Sequence, residues 1–191
     1  MKPPYHGGCE CCAIRYTIRS TPIVVYACHC TICQTQSGSA FGMAMRIPME
    51  SFSLTRGALK IFRRTADSGQ VFTNSFCPDC GTRIHHQADR SPGQISLKPG
   101  TLDDTSWLHP SHHVFLRSAQ KWVVIPEDAQ GFETVPEDRS WLRGGLTDRQ
   151  QWDSLHRSAR LVARWQCCHS PAILRQQMVR SWIGSAKAPQ E

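Results

Sequence analysis

Short stretches of alternating apolar and polar residues run through about the first two-thirds of the chain. Residues 13–19 place Ile14, Tyr16 and Ile18 on one face, and residues 41–47 repeat this period of two. Gly, Pro, Ser and Asp bound further apolar stretches at 22–27, 58–62, 70–76, 82–87, 94–98, 113–117 and 121–125. A spacing of about ten residues, without a long helical period, predicts a mainly β, antiparallel core.

The pattern changes after Pro136, where a segment with no clear period ends. A capping-box sequence at 147–150 then precedes apolar residues that recur at helical spacing as far as residue 183. We therefore predict a β domain over 5–136 and a helical, basic C-terminal extension over 137–191.

The length of 191 residues suffices for one domain with a real core and an appendage. No apolar run approaches the roughly 18 residues that a membrane span needs. The opening MKPPYHGGCEC also lacks the apolar segment of a secretory signal. We expect no membrane segment and a cytoplasmic location, where clustered cysteines bind metal rather than form disulfides.

The formal net charge is +7, of which residues 137–191 contribute +4. So mild an excess is a weak sign of nucleic-acid binding, and we do not expect a nucleic-acid partner. The predicted C-terminal helices must bury their apolar faces on the core or against a second chain. A homo-oligomer formed through these helices is therefore one expectation.

Seven of the ten cysteines fall in three clusters with the spacing of metal ligands: a CxC at 9–11, a CxCxxC at 28–33 and a CxxC at 77–80. If the CxC lies on a strand, both sulphurs point to one face and can chelate one ion. In the CxxC, Pro78 presets the turn, and Gly81 supplies the backbone freedom that follows it. Four thiolates close a tetrahedral zinc site, whereas three leave a position open.

The clusters can pair in more than one way. The CxC and the CxxC can close a four-thiolate site and leave Cys28, Cys30 and Cys33 around a zinc with an open position. A substrate thiol that enters there becomes a thiolate at neutral pH, which suits the making or breaking of carbon–sulphur bonds. Alternatively, Cys30 and Cys33 can join the CxxC in an ordinary zinc ribbon, and all seven ligands can be structural.

Several motifs occur together in a fixed order. A G-C-x-C sequence begins at Gly8, C-H-C-x-x-C spans 28–33, F-C-x-x-C-G-T spans 76–82 and G-T-L-D-D spans 100–104. In this combination the chain resembles the glutathione-dependent formaldehyde-activating enzyme family, which includes centromere protein V. The resemblance covers about residues 5–136, and the C-terminal extension lies outside it.

The resemblance implies a zinc-pinned antiparallel β-tent. It implies a structural zinc on Cys9, Cys11, Cys77 and Cys80, and a catalytic, open zinc on Cys28, Cys30 and Cys33. It also implies a carbon–sulphur lyase that acts on a small thiol adduct such as S-hydroxymethylglutathione, formed from glutathione and formaldehyde. One departure is Cys12, which stands where the family has Gly.

A different class of function is a non-catalytic, zinc-stabilised binding module that contacts a protein or nucleic-acid partner through its basic tail. Other residues have expected roles that are mainly structural. We expect His29 to point away from the ligands that flank it. Asp103 and Asp104 are expected to cap a turn or to orient a substrate amine. Cys167, Cys168 and His169 join the two predicted helices, and adjacent cysteines chelate metal poorly.

Overall fold

A computed structural model describes residues 2–138 and 140–142. The helices predicted over 147–183, including the segment 167–169, lie outside the described residues. Among the described residues, no helix has the length and apolar character needed to span a bilayer.

The described residues form short strands, one α-helix and several single turns of 3-10 helix. In chain order the strands and the helix are β1 (Tyr5–Gly8), β2 (Arg15–Ile18), β3 (Val24–Cys28), α1 (Thr31–Ser37), β4 (Gly42–Pro48), β5 (Phe52–Arg56), β6 (Lys60–Thr65), β7 (Val71–Phe76), β8 (Arg83–Ala88), β9 (Gln94–Leu97), β10 (His112–Val114) and β11 (Gln130–Phe132). The 3-10 turns are Met49–Ser51, Pro99–Thr101, Leu116–Ser118 and Ser140–Leu142.

The strands form two sheets, one of order β1-β2-β5 and one of order β11-β10-β3-β4-β9-β8-β7-β6. The prediction of a mainly β core is thus confirmed. Antiparallel pairing holds between the described strands except at β10, which is parallel to both β3 and β11. A parallel pair needs a long crossover connection, and nearly the whole domain lies between β3 and β10.

One apolar cluster joins the two sheets. Tyr16 and Ile18 of the smaller sheet pack with Met45, Ile47 and Leu97 of the larger one, and all five side chains are buried. This burial follows the predicted alternation along β2 and β4, because side chains on a strand alternate between its two faces. Cys9 and Cys77 belong to the same cluster, and Cys11 and Cys80 pack against it.

The sequence analysis missed four elements and predicted one strand wrongly. The sequence did not indicate β1, β5, β11 or α1. The stretch 121–125 is not a strand, since Trp122 and Val124 are 71% and 86% exposed and the segment turns instead. Its apolar residues therefore lack the buried sheet face that would make them a strand.

Candidate metal centres

Four cysteines from distant parts of the chain come together in one cluster. The sulphurs of Cys9, Cys11, Cys77 and Cys80 all lie within 4.8 Å of one another. The Sγ atoms of Cys9 and Cys11 are 3.4 Å apart, and those of Cys11 and Cys77 are 3.7 Å apart. Sulphurs around a tetrahedral zinc are separated by about 3.8 Å, so this donor set fits the ion.

Two tight turns position these sulphurs. The CxC lies in the turn after β1 and not on a strand, so our expectation of chelation by strand alternation was wrong. Cys12 takes a left-handed conformation with φ of 62°, and the Cys12 N–H donates to the Cys9 carbonyl at 3.1 Å. The left-handed region favours glycine, and Cys12 adopts it all the same. The Ile14 N–H donates to the Cys9 sulphur at 3.2 Å.

The turn between β7 and β8 holds the other two cysteines of this cluster and has the form that the sequence predicts. Gly81 has φ of 73°, and the Gly81 N–H donates to the Cys77 carbonyl at 3.0 Å. The Cys77 N–H donates to the Thr82 carbonyl at 2.9 Å, and Thr82 Oγ1 lies 3.1 Å from the Cys80 sulphur. Polar groups directed at sulphur stabilise negative charge on a metal-bound thiolate.

Three further cysteines form a second cluster, which we call the cysteine triad: Cys28, Cys30 and Cys33. Their sulphurs also lie within 4.8 Å of one another, with Cys28 and Cys30 3.5 Å apart. Cys28 ends β3, Cys30 is the N-cap of α1 and Cys33 lies in its first turn. The Cys33 N–H donates to the Cys30 sulphur at 3.4 Å. The triad therefore sits at a strand–helix junction rather than in a loop, and no fourth ligand of the described residues joins it.

Contacts within the triad separate the pKa values of its thiols. A hydrogen bond that the Cys28 thiol donates to the Cys30 sulphur lowers the pKa of Cys30, and Cys33 adds to this effect. The same contact, together with burial, raises the pKa of Cys28. Thiolate character thus concentrates on Cys30, as suits a group that ligates a cation.

The His29 side chain packs inside the protein, against His113 and Phe41. It is fully buried, and its Nε2 lies 3.0 Å from Nδ1 of His113. Burial lowers the pKa of both rings. The Gln34 side chain donates to the carbonyls of His29 at 2.7 Å and Ser118 at 2.8 Å, which fastens α1 to the segment after β10. His29 therefore has the structural role that the sequence favoured.

The two aspartates of the G-T-L-D-D motif stabilise local structure. Asp104 accepts hydrogen bonds from the Ser106 N–H at 2.9 Å and the Ser106 hydroxyl at 2.7 Å, so the predicted turn-capping role is confirmed for Asp104. Asp103 forms a bidentate ion pair with Arg15 of β2. This ion pair accounts for the position of Asp103 without a contact to a substrate amine.

Sequence reasoning missed two basic residues beside the triad. Lys98 follows β9 and interacts electrostatically with all three triad thiols, and Arg83 at the start of β8 interacts with Cys33. Burial is the main cause that lowers the pKa of Lys98, to about 8. No motif marks either residue, because the triad and these cations are brought together only by the pairing of strands.

Comparisons with known proteins identify the family of this chain. Residues 4–118, more than half of the chain, match the family model described as glutathione-dependent formaldehyde-activating enzyme. A Penicillium rubens protein named, provisionally, as such an enzyme is 25% identical over 122 residues. The matched region covers 60% of this chain and 63% of that protein.

A crystal structure of a Rhodobacter sphaeroides protein from a structural genomics programme also aligns, with a TM-score of 0.44 and 18% identity. That alignment covers 66% of this chain and 98% of the other. The extent of the family match decides the assignment: the chain belongs to the glutathione-dependent formaldehyde-activating enzyme family.

Proposed function

We propose that this member of the family is a zinc-dependent carbon–sulphur lyase whose substrate is the adduct of a small thiol with formaldehyde, with glutathione as the thiol. The observation that carries the proposal is the division of seven sulphurs into a group of four and a group of three. Four ligands complete the coordination of a zinc, whereas three leave room for a substrate atom. The family match supports glutathione and formaldehyde as reactants.

In this proposal the two clusters have different tasks. Cys9, Cys11, Cys77 and Cys80 hold a structural zinc that joins the turn after β1 to the β7–β8 turn. Cys28, Cys30 and Cys33 hold the second zinc, which supplies an open position where a thiol loses its proton. The placement of Cys30 and Cys33 at the start of α1 fixes two of these three sulphurs on one rigid turn.

The reaction makes or breaks one carbon–sulphur bond. In the direction of addition, the sulphur electron pair attacks the formaldehyde carbon, and the carbonyl oxygen takes up a proton to become a hydroxyl. In the lyase direction the hydroxyl loses that proton, the carbonyl reforms and the sulphur leaves as a thiolate. Neither direction needs an oxidant or a reductant, so no further co-reactant is required.

The test is exchange between glutathione and its hydroxymethyl adduct, measured by NMR with ¹³C-formaldehyde. We expect the zinc-loaded full chain to accelerate exchange over the spontaneous rate, and Cys30→Ser to abolish the acceleration. Cys12→Ser is the matched control, because Cys12 is a partly exposed cysteine outside both clusters. A wild-type protein that carries two zinc ions and leaves the exchange rate unchanged would refute the proposed function.

A further inference from the structure

One face of the larger sheet carries a row of polar side chains. Arg46 of β4 is paired with Ser96 of β9, Ser96 with His86 of β8, and His86 with Asn74 of β7. Directly paired residues on neighbouring strands project from the same face of a sheet. These four side chains therefore form a continuous row across four strands.

The cysteine triad stands at one end of the same face. Cys28 is paired with Gly42, which precedes Arg46 by four residues on β4. Residues an even number apart on a strand share a face, and four residues span about 14 Å at 3.4 Å per residue. The row and the triad are thus separated by a length that a small peptide-like molecule can bridge.

Lys98 and Arg83 occupy the space between them. Lys98 lies two residues beyond Ser96 and shares its face. A register shift between Ser75 and Phe76 leaves Ile84 without a partner in β7. Ile84 is fully buried in the core, while Arg83 donates to Asn74 Oδ1 at 2.7 Å. The bulge therefore directs Arg83 to the polar face.

The cations of this face repel one another. Burial lowers the pKa of Lys98 and the positive charge of Arg83 lowers it further; Lys98, Arg83 and Arg46 likewise add to the burial that lowers the pKa of His86. Arg83 is also repelled by Arg64. In residues 2–138 and 140–142, no carboxylate forms an ion pair with any of these side chains; Asp103 and Asp128 pair instead with Arg15 and His109.

Two buried nitrogen atoms of this face also have no hydrogen-bond partner among the described residues: Nε of Arg64 and Nδ1 of His86. Buried polar groups normally have such a partner, and buried charges are normally compensated. The three triad thiolates with one zinc leave a net charge of about −1, which Lys98 alone balances. The remaining positive charges are therefore in excess of what the triad requires.

We propose that this face binds the carboxylates of an acidic thiol while the sulphur of the same molecule enters the triad, with Lys98 and Arg83 as the nearer contacts and Arg46 as the more distant one. Placing the sulphur at the triad rests on the proposed function. The inference narrows the substrate class to thiols that carry carboxylates beyond the sulphur, because a neutral thiol leaves the excess charge unbalanced. Lys98, Arg83 and Arg46 are thus specificity-determining residues.

Binding of a thioether tests this site without turnover. S-methylglutathione keeps both carboxylates and cannot become a thiolate, and its diethyl ester keeps the peptide backbone without the negative charges. Calorimetry on the zinc-loaded full chain should show the acid bound at least about tenfold more tightly than the diester, since charge-assisted hydrogen bonds are lost. Lys98→Met should remove about tenfold of the affinity for the acid and leave that for the diester unchanged.

Lys121→Met is the matched control, since Lys121 is exposed and should leave both affinities unchanged. If Lys98→Met loses zinc or fails to fold, Arg46→Gln takes its place, because Arg46 lies four residues from the position paired with Cys28. Equal binding of acid and diester, or equal weakening of both by the substitution, would overturn the proposal. So would the absence of binding of the acid at millimolar concentration.

The formaldehyde exchange assay separates this inference from the function on which it rests. Discrimination of the acid from the diester by a protein that shows no exchange activity would support the carboxylate site and refute the lyase function. Exchange activity that persists at the wild-type KM for glutathione in Lys98→Met and Arg46→Gln would overturn the site and leave the lyase function intact.

Discussion

Cys77→Ser is expected to remove most of the stability of the β domain. Cys77 is fully buried, and its sulphur lies 3.7 Å from that of Cys11. A metal at this cluster joins the turn after β1 to the β7–β8 turn and closes a loop of about 66 residues between Cys11 and Cys77. Loss of one of its ligands releases that link and leaves a hydroxyl in a site built for a thiolate.

The magnitude follows from these two effects. A cross-link that closes a loop of this length restricts the unfolded chain by about 4 kcal/mol. A buried polar group without a partner costs a further 1–3 kcal/mol, roughly. The total of about 5 kcal/mol or more compares with a free energy of unfolding of about 5–15 kcal/mol for an ordinary domain.

Urea denaturation followed by circular dichroism, with zinc content measured on the same samples, provides the assay. Cys12→Ser is the matched control, since Cys12 lies in the same turn as Cys11 but outside the cluster, and its unfolding midpoint should stay near that of the wild type. Cooperative unfolding of Cys77→Ser at the wild-type urea midpoint, with undiminished zinc, would show that the four-sulphur cluster does not stabilise the fold.

Three further predictions concern the triad and the domain boundary. Cys30→Ser should retain the circular dichroism spectrum and lose one zinc per chain; aggregation as severe as that of Cys77→Ser would make the triad structural. In Gly42→Ala the added Cβ would lie 3.2 Å from Cys33 Cβ, so α1 should shift. Zinc retention at the triad should then fall about tenfold in a chelator competition. Unchanged retention would show that this contact does not position Cys33. A chain that ends at residue 142 keeps Trp141, which stacks on His112 and contacts Tyr26 edge-on. By circular dichroism and metal analysis it should remain a folded, zinc-bearing β domain. Loss of both fold and zinc would place the C-terminal extension in the core.

The local patterns of the sequence predicted the central strands well. Along β4 the alternation around Met45 and Ile47 identified both the strand and its buried face, because the apolar cluster covers one face of β4. The CxxC turn followed from Pro78 and Gly81, whose backbone preferences act over a few residues only. Features that are decided within one strand or one turn are therefore readable from the sequence.

The sequence could not show features that depend on neighbours distant along the chain. The seven residues of α1 bury no side chain, so they carry no helical period, although the helix positions Cys33. His29 meets His113 only because β3 and β10 are adjacent. Arg83 reaches the face of Lys98 through a bulge at Ile84, which a strand pattern with period two does not foresee.

The number of zinc ions per chain, measured before and after mild chelation, distinguishes an open second site from a single closed one. We expect two zinc ions in the full-length protein, of which chelation removes the one at the triad while the β domain stays folded, and we expect glutathione to slow that removal. One tightly held zinc per chain, with no second ion even when zinc is supplied in excess, would contradict the open site and favour a non-catalytic binding module.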